Sequence, residues 1–154
     1  MIIKKLSIIL FSLFLTSCGF KVANYNYDYN FTEISITGDD KIGYRIKNKL
    51  LADTKKENSN RVLIKINLNK IKSIKEKNIS NEVTKYEIKI NTNVEYEILS
   101  KNIKSKFDIS KKGDYLVMSK HSDTLNNEKN LINLLSTTIS EEILSMLASN
   151  INDL

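Results

Sequence analysis

No proline and no tryptophan occur in the 154 residues of this chain, cysteine and histidine appear once each, and glycine only four times. Each shortage excludes something. With Cys18 alone, no disulfide can form within the chain. His121 stands alone in a polar stretch that suits a solvated or capping role, so no cluster of histidines is available to a metal. Four glycines cannot build a phosphate-cradling loop of the usual kind, and HExxH, CxxC, GxSxG and P-loop motifs are all missing. The acidic pairs Asp39-Asp40 and Glu141-Glu142 read as a helix cap and a helix surface rather than catalytic carboxylates. The expectation is a protein that is not an enzyme and holds no metal or cofactor.

Lysine, asparagine and isoleucine are in excess, and formal net charge is +6. These residues share A/T-rich codons, so two readings of the charge stand side by side: coding bias, or a basic patch for anionic surfaces such as phosphorylated lipid. The lack of proline fits the first.

A long hydrophobic run occurs only at the start. Lys4 and Lys5 precede Leu6–Leu15, an apolar stretch of about ten residues that ends in Thr16-Ser17-Cys18. A short basic segment, an apolar segment and small residues before a cut are the pattern of an export signal. The run is well short of the ~20 apolar residues of a transmembrane helix. Leu15-Thr16-Ser17-Cys18 resembles the bacterial lipobox, which implies that residues 1–17 are removed. Cys18 would then become the first residue and carry S-diacylglyceryl and N-acyl chains, palmitate among them. The remaining 154 − 17 = 137 residues suit one domain. Without Lys4 and Lys5 they hold 22 basic and 18 acidic side chains, a net charge of +4. Export also argues against a nucleic-acid partner, and no stacking motif supports one.

Residues 18–31 read as a lipidated start and a tether, with Tyr25, Tyr27, Tyr29 and Phe31 alternating with Asn and Asp. The folded domain is expected over 32–150. Thr32–Thr37 gives a short strand, Gly38-Asp39-Asp40 a break and helix cap, and Lys41–Asp53 a helix with Ile42, Ile46 and Leu50 in one stripe. Thr54–Asn60 is loop-like. From Arg61 the period drops to two: Val62, Ile64, Ile66 and Leu68 alternate, then the phase slips at Asn69-Lys70, which predicts a bulge or a strand end. Tyr86 to Ile98 alternates dry and wet over seven pairs, the clearest strand in the chain. Ile103–Ile109 forms the last strand before a break at Lys111–Asp114. A long helix, about Thr124–Ser149, presents Leu125, Ile132, Leu135, Ile139, Ile143, Met146 and Leu147 as its core stripe, with Leu131, Leu134 and Leu144 off it. The order β-α-β-β-β-α predicts an α+β, two-layer sandwich: a four-stranded, mostly antiparallel sheet covered on one face by two helices.

Three features resemble the LptE family of lipopolysaccharide-assembly lipoproteins: Cys18-Gly19-Phe20-Lys21-Val22, the opening Thr84–Ile88 of the long strand, and Glu141–Leu147 near the end. The order of elements adds to them. The resemblance implies a non-catalytic plug inside the LptD-type outer-membrane β-barrel, aiding its assembly and the delivery of lipopolysaccharide to the outer leaflet. It implies an outer-membrane location by lipid anchor, facing the periplasm or the barrel lumen, with Gly19 as the sorting residue after Cys18. Tyr44, Leu51, Leu134 and Leu144 are the candidate contacts with the barrel. Lys72, Lys75 and Lys77, expected between the second and third strands, and Lys120 before the last helix are the candidate lipopolysaccharide-binding residues. The alternative is an auxiliary lipoprotein of an ABC-type lipid-trafficking system, which shares export, lipidation and a small α+β domain.

Overall fold

The computed structural model describes residues 29–53 and 60–152, leaving aside the side chains of 151 and 152. Cys18, Gly19 and the Tyr25 and Tyr27 positions lie outside the described residues. The elements are β1 (Tyr29–Thr37), α1 (Asp40–Asp53), β2 (Asn60–Lys77), β3 (Val83–Ile98), β4 (Ile103–Leu116) and α2 (His121–Asn152). They form an α+β sandwich whose single sheet has the order β1-β2-β3-β4. β1 and β2 are parallel, with α1 as the crossover; the other two pairs are antiparallel.

β1 starts at Tyr29, so the last residues of the expected tether are sheet. Alternation explains why: Tyr29 and Phe31 are both buried and their rings meet edge-on at 5.5 Å. β1 then irregularly skips Thr32 and ends at Thr37 opposite Asn67. Gly38 makes the exit. Its φ is +106°, and a β-carbon there would run into the Leu68 carbonyl oxygen, so only glycine fits. Asp39 caps α1 as expected, its Oδ1 accepting from the Ile42 N–H at 3.1 Å. Ile42, Ile46 and Leu50 are buried, and Gly43 lets the helix sit close on Ile36 of β1.

β2 does not break at Asn69-Lys70. Its register with β3 is continuous from Val62 to Ile74 and shifts only around Glu76. Lys70, Lys72 and Ile74 keep the phase of Leu68; the apparent slip arises because Ile71 is an exposed residue on the opposite face. β4 likewise passes through Lys111–Asp114 without a break. Gly113 is there for packing, since a side chain would meet Leu131 of α2.

The core lies between the helices and the face formed by Val62, Ile64, Ile66 and Leu68 of β2, Ile88 to Ile98 of β3, and Ile109 and Tyr115 of β4. α2 starts beside the end of β4 and runs back over it toward the β1 end, reaching α1 in its second half. The buried arc is wider there than a single stripe. Leu144 is 0% exposed, and the Tyr29 hydroxyl donates to its carbonyl oxygen at 3.2 Å. The reason is α1, which closes that flank of α2. At the other end α1 is absent, and Leu125, expected in the core, is half exposed. By length and composition His121–Asn150 is long and apolar enough to cross a membrane, but half of its apolar window is buried inside the domain.

Candidate functional site

The two ends of the sheet differ. At the end where β1 enters, all four strands and both helices close a dry core. At the other, only β2, β3, β4 and the first turns of α2 remain, and every residue from Asn69 to Glu82 is exposed. Exposed apolar side chains gather toward this second end: Ile71, Ile74, Ile79, Leu116, Met118 and Leu125. So do the lysines named from sequence. Lys72, Lys75 and Lys77 sit within β2 itself rather than in a connection, and Lys120 immediately precedes α2.

Their surroundings are not alike. Lys72 reaches across the helix-facing side of the sheet. Its Nζ lies 4.6 Å from the Tyr86 ring centre and 5.3 Å from that of Tyr115, and donates to Glu128 Oε2 at 2.7 Å. The two rings stack with centres 5.6 Å apart, and the Tyr115 hydroxyl donates to the same carboxylate oxygen at 2.7 Å. This cluster binds β2, β3, β4 and α2 together. Burial alone raises the Glu128 carboxyl, but the Lys72 and Tyr115 bonds outweigh it and hold the group below its ordinary value. Burial lowers Lys72, and its bonds to Glu128 and Tyr115 more than offset it, leaving the ammonium above its ordinary value.

Lys75 projects from the opposite, helix-free side and pairs with Asp114 of β4. That bond raises its ammonium above the ordinary value. Lys77 donates to Asn81 Oδ1 at 2.9 Å in the β2–β3 turn. Asn78 shapes this turn: its Oδ1 accepts from the Ser80 and Glu82 N–H groups at 3.0 and 2.9 Å, and Asn81 takes a left-handed φ of 63°. Lys120 has no ion-pair partner among the described residues. The structure therefore brings Lys75, Lys77 and Lys120 to one exposed end, and gives Lys72 a packing role.

Among the candidate contact residues, Tyr44 is 69% and Leu134 63% exposed, and Leu51 is half exposed. Leu144 is not a surface residue; α1 and Tyr29 cover it, which removes it from any list of partner contacts. Around Tyr44 on the outer side of α1 stand Lys41, Arg45 and Lys47, none with an ion-pair partner among the described residues.

The helix-free face is polar and largely self-compensated. Asn93 donates to Asp108 at 2.8 Å, Ser110 to Asn91 at 2.9 Å, and Lys104 pairs with Glu97 at 3.2 Å. An open depression of about 570 Å³ on it is lined by Leu63, Lys65, Glu95, Glu97, Lys104 and Lys106. Lysines and glutamates alternate around it, so it carries no field of one sign. His121 is the exposed first residue of α2 rather than part of a loop.

Neither a family model nor a curated protein matches the chain in sequence. Solved structures do match in shape. A crystal structure of rare lipoprotein B from Shewanella oneidensis superposes with a TM-score of 0.60 at 16% identity, covering 79% of this chain and 97% of that one. The chain shares the fold of rare lipoprotein B. The solution structure of a lipoprotein B from Nitrosomonas europaea gives 0.58 at 16% identity, covering 87% of this chain and 93% of that one. The likeness to rare lipoprotein B thus extends over most of the chain, not one motif.

Proposed function

We propose that the chain is a lipid-anchored, non-catalytic protein of the LptE family. Its domain fits within an LptD-type outer-membrane barrel, supports the barrel's assembly and assists the passage of lipopolysaccharide to the outer leaflet. The observation that carries this reading is the rare lipoprotein B fold, that of the LptE family, on a chain whose Cys18 closes an export-type apolar run. Gly19 after the cysteine supports the outer membrane as destination. Two acyl-bearing groups on one residue give stable attachment, at about 0.8 kcal/mol per buried methylene.

Geometry adds an orientation. The interval from Cys18 to Tyr29 is 29 − 18 = 11 residues, which spans at most ~40 Å when extended. β2 of 18 residues is about 60 Å long. The end of the sheet where β1 begins therefore lies toward the anchor, and Lys75, Lys77 and Lys120 lie at the far end. There the pairing of ammonium groups with exposed Ile79, Leu116 and Met118 suits an amphiphile with phosphates and acyl chains. A polar, compensated sheet face suits a water-lined lumen.

Extraction of the outer membrane in mild detergent tests the reading. The account expects the protein to elute one-to-one with a barrel of outer-membrane size. Recovery with inner-membrane transporter components instead would assign it to a lipid-trafficking ABC system. For the lipid, replacing Lys75 and Lys77 together by glutamate should weaken binding of purified lipopolysaccharide about tenfold or more at low salt. Unchanged affinity removes that end from consideration.

A further inference from the structure

α1 has two unlike faces. Ile42, Ile46 and Leu50 are buried on the side that meets β1 and α2. At 100° per residue the outer arc runs Lys47, Leu51, Tyr44, Asn48, Lys41, Arg45 within about 160°, and all six are exposed. An apolar pair, Tyr44 and Leu51, therefore stands between cations, with Lys47 on one rim and Lys41 and Arg45 on the other. None of these three cations has an ion-pair partner among the described residues, whereas ion pairs take up lysines on β2, β3 and β4. Of the nearby acids, Asp39 is held by Lys70 and Asp53 by Lys49. Asp40 remains, in the first turn, where the N-terminal N–H groups of the helix offset its charge. The arc is left with an excess of positive charge.

We propose that the outer face of α1 lies on an anionic phospholipid surface, the leaflet that holds the anchor. Cations flanking an apolar and aromatic centre are the pattern of a helix that rests in the headgroup region. Unpaired ammonium and guanidinium groups meet lipid phosphates, and their stems and the Tyr44 ring bridge toward the acyl boundary where Leu51 lies. The tether decides which surface is near. Cys18 lies 29 − 18 = 11 residues before Tyr29, an interval of at most ~40 Å. As the crossover between parallel β1 and β2, α1 runs back toward Tyr29. Its 14 residues span about 21 Å, so the whole arc stays within reach of the membrane the anchor enters. The polar, helix-free face is the one matched to the barrel lumen above, which leaves the helix side to the leaflet. The inference rests on the anchored reading for the nearness of a membrane; the charge and exposure of the face stand without it.

The test uses the whole mature chain, residues 18–154, with Cys18→Ser so that no acyl chain contributes. A polarity-sensitive fluorophore is placed on a single new cysteine, Asn48→Cys, in the middle of the arc. Vesicles of phosphatidylcholine with about one quarter phosphatidylglycerol should shift its emission to the blue at millimolar lipid, and phosphatidylcholine alone should not. The same label at Ser110→Cys, on the helix-free face, should stay unshifted. Lys41→Gln, Arg45→Gln and Lys47→Gln together should weaken binding about tenfold or more, as should high salt. Lys65→Gln, Lys89→Gln and Lys106→Gln remove three exposed charges from the helix-free face instead, and should weaken it less than about threefold. Urea unfolding of each variant checks that the domain is intact. No shift with anionic vesicles, or an equal loss from the helix-free triple, overturns the proposal. So does a shift with lipopolysaccharide micelles alone, which would give the face to that lipid. A shift that follows protein concentration without vesicles also overturns it, and would give the face to a second copy. Absence of lipid on Cys18 in the native protein would alter none of these results, so the two accounts fail separately.

Discussion

Leu134 and Leu144 share a helix and a side-chain type, and only one of them is available to a partner. A helical wheel places both off the main stripe, because the wheel knows one neighbour, the sheet. α1 is a second neighbour along half of α2, and it covers Leu144 while leaving Leu134 in solvent. Leu144→Ala should therefore cost about 2–5 kcal/mol in urea unfolding. Leu134→Ala should stay within about 0.5 kcal/mol and, if it matters, should weaken barrel association alone. Glu128 offers a second measurement. Its carboxyl is held below the ordinary value of 4.5, so the folded state binds its proton less readily than the unfolded state. The stabilisation is then complete above that value and is lost as pH falls below it. Wild type should lose more stability than Glu128→Gln on going from about pH 6 to about pH 3. Equal slopes would mean that the Lys72–Glu128–Tyr115 cluster contributes nothing to folding.

Among the elements, β3 was the most legible, since each of its core residues from Tyr86 to Ile98 alternates with a polar one. β2 was legible only where helices cover it. Past Leu68 its inward positions carry Lys70 and Lys72, because α1 has turned away and the space above is shared with Asp39 and Glu128. A strand flanked by polar groups on both faces has no apolar period to read. For the same reason the lysines of the candidate end looked like a connection. Lys111–Asp114 misled in a related way: Lys111 pairs with Glu142 of α2 and Gly113 admits Leu131, so apparent turn residues are interface residues. The β1–α1 junction is legible as a break with its Asp39 cap, whereas the left-handed φ of Gly38 is visible only in three dimensions. Gly38→Ala should destabilise the domain by more than about 1 kcal/mol in thermal or urea unfolding, through strained φ and the Leu68 carbonyl clash. A neutral result would mean that β1 can leave the sheet by another path.

Over the whole molecule, the order of elements and the two-layer packing follow from hydrophobic period alone, and the sheet is mixed only at β1–β2, where a helix connects parallel neighbours. What sequence could not place was the asymmetry: one end sealed by both helices, the other open, basic and partly apolar. In the proposed function that asymmetry would set the anchor at the sealed end and lipopolysaccharide at the open one. The most direct test is intact-mass and N-terminal fragment spectrometry of the protein taken from membranes. The account predicts a chain beginning at Cys18, heavier than its sequence by a diacylglyceryl group on Sγ and one acyl chain on the amine. A chain beginning downstream of Cys18, unmodified and recovered free of membrane, would contradict it.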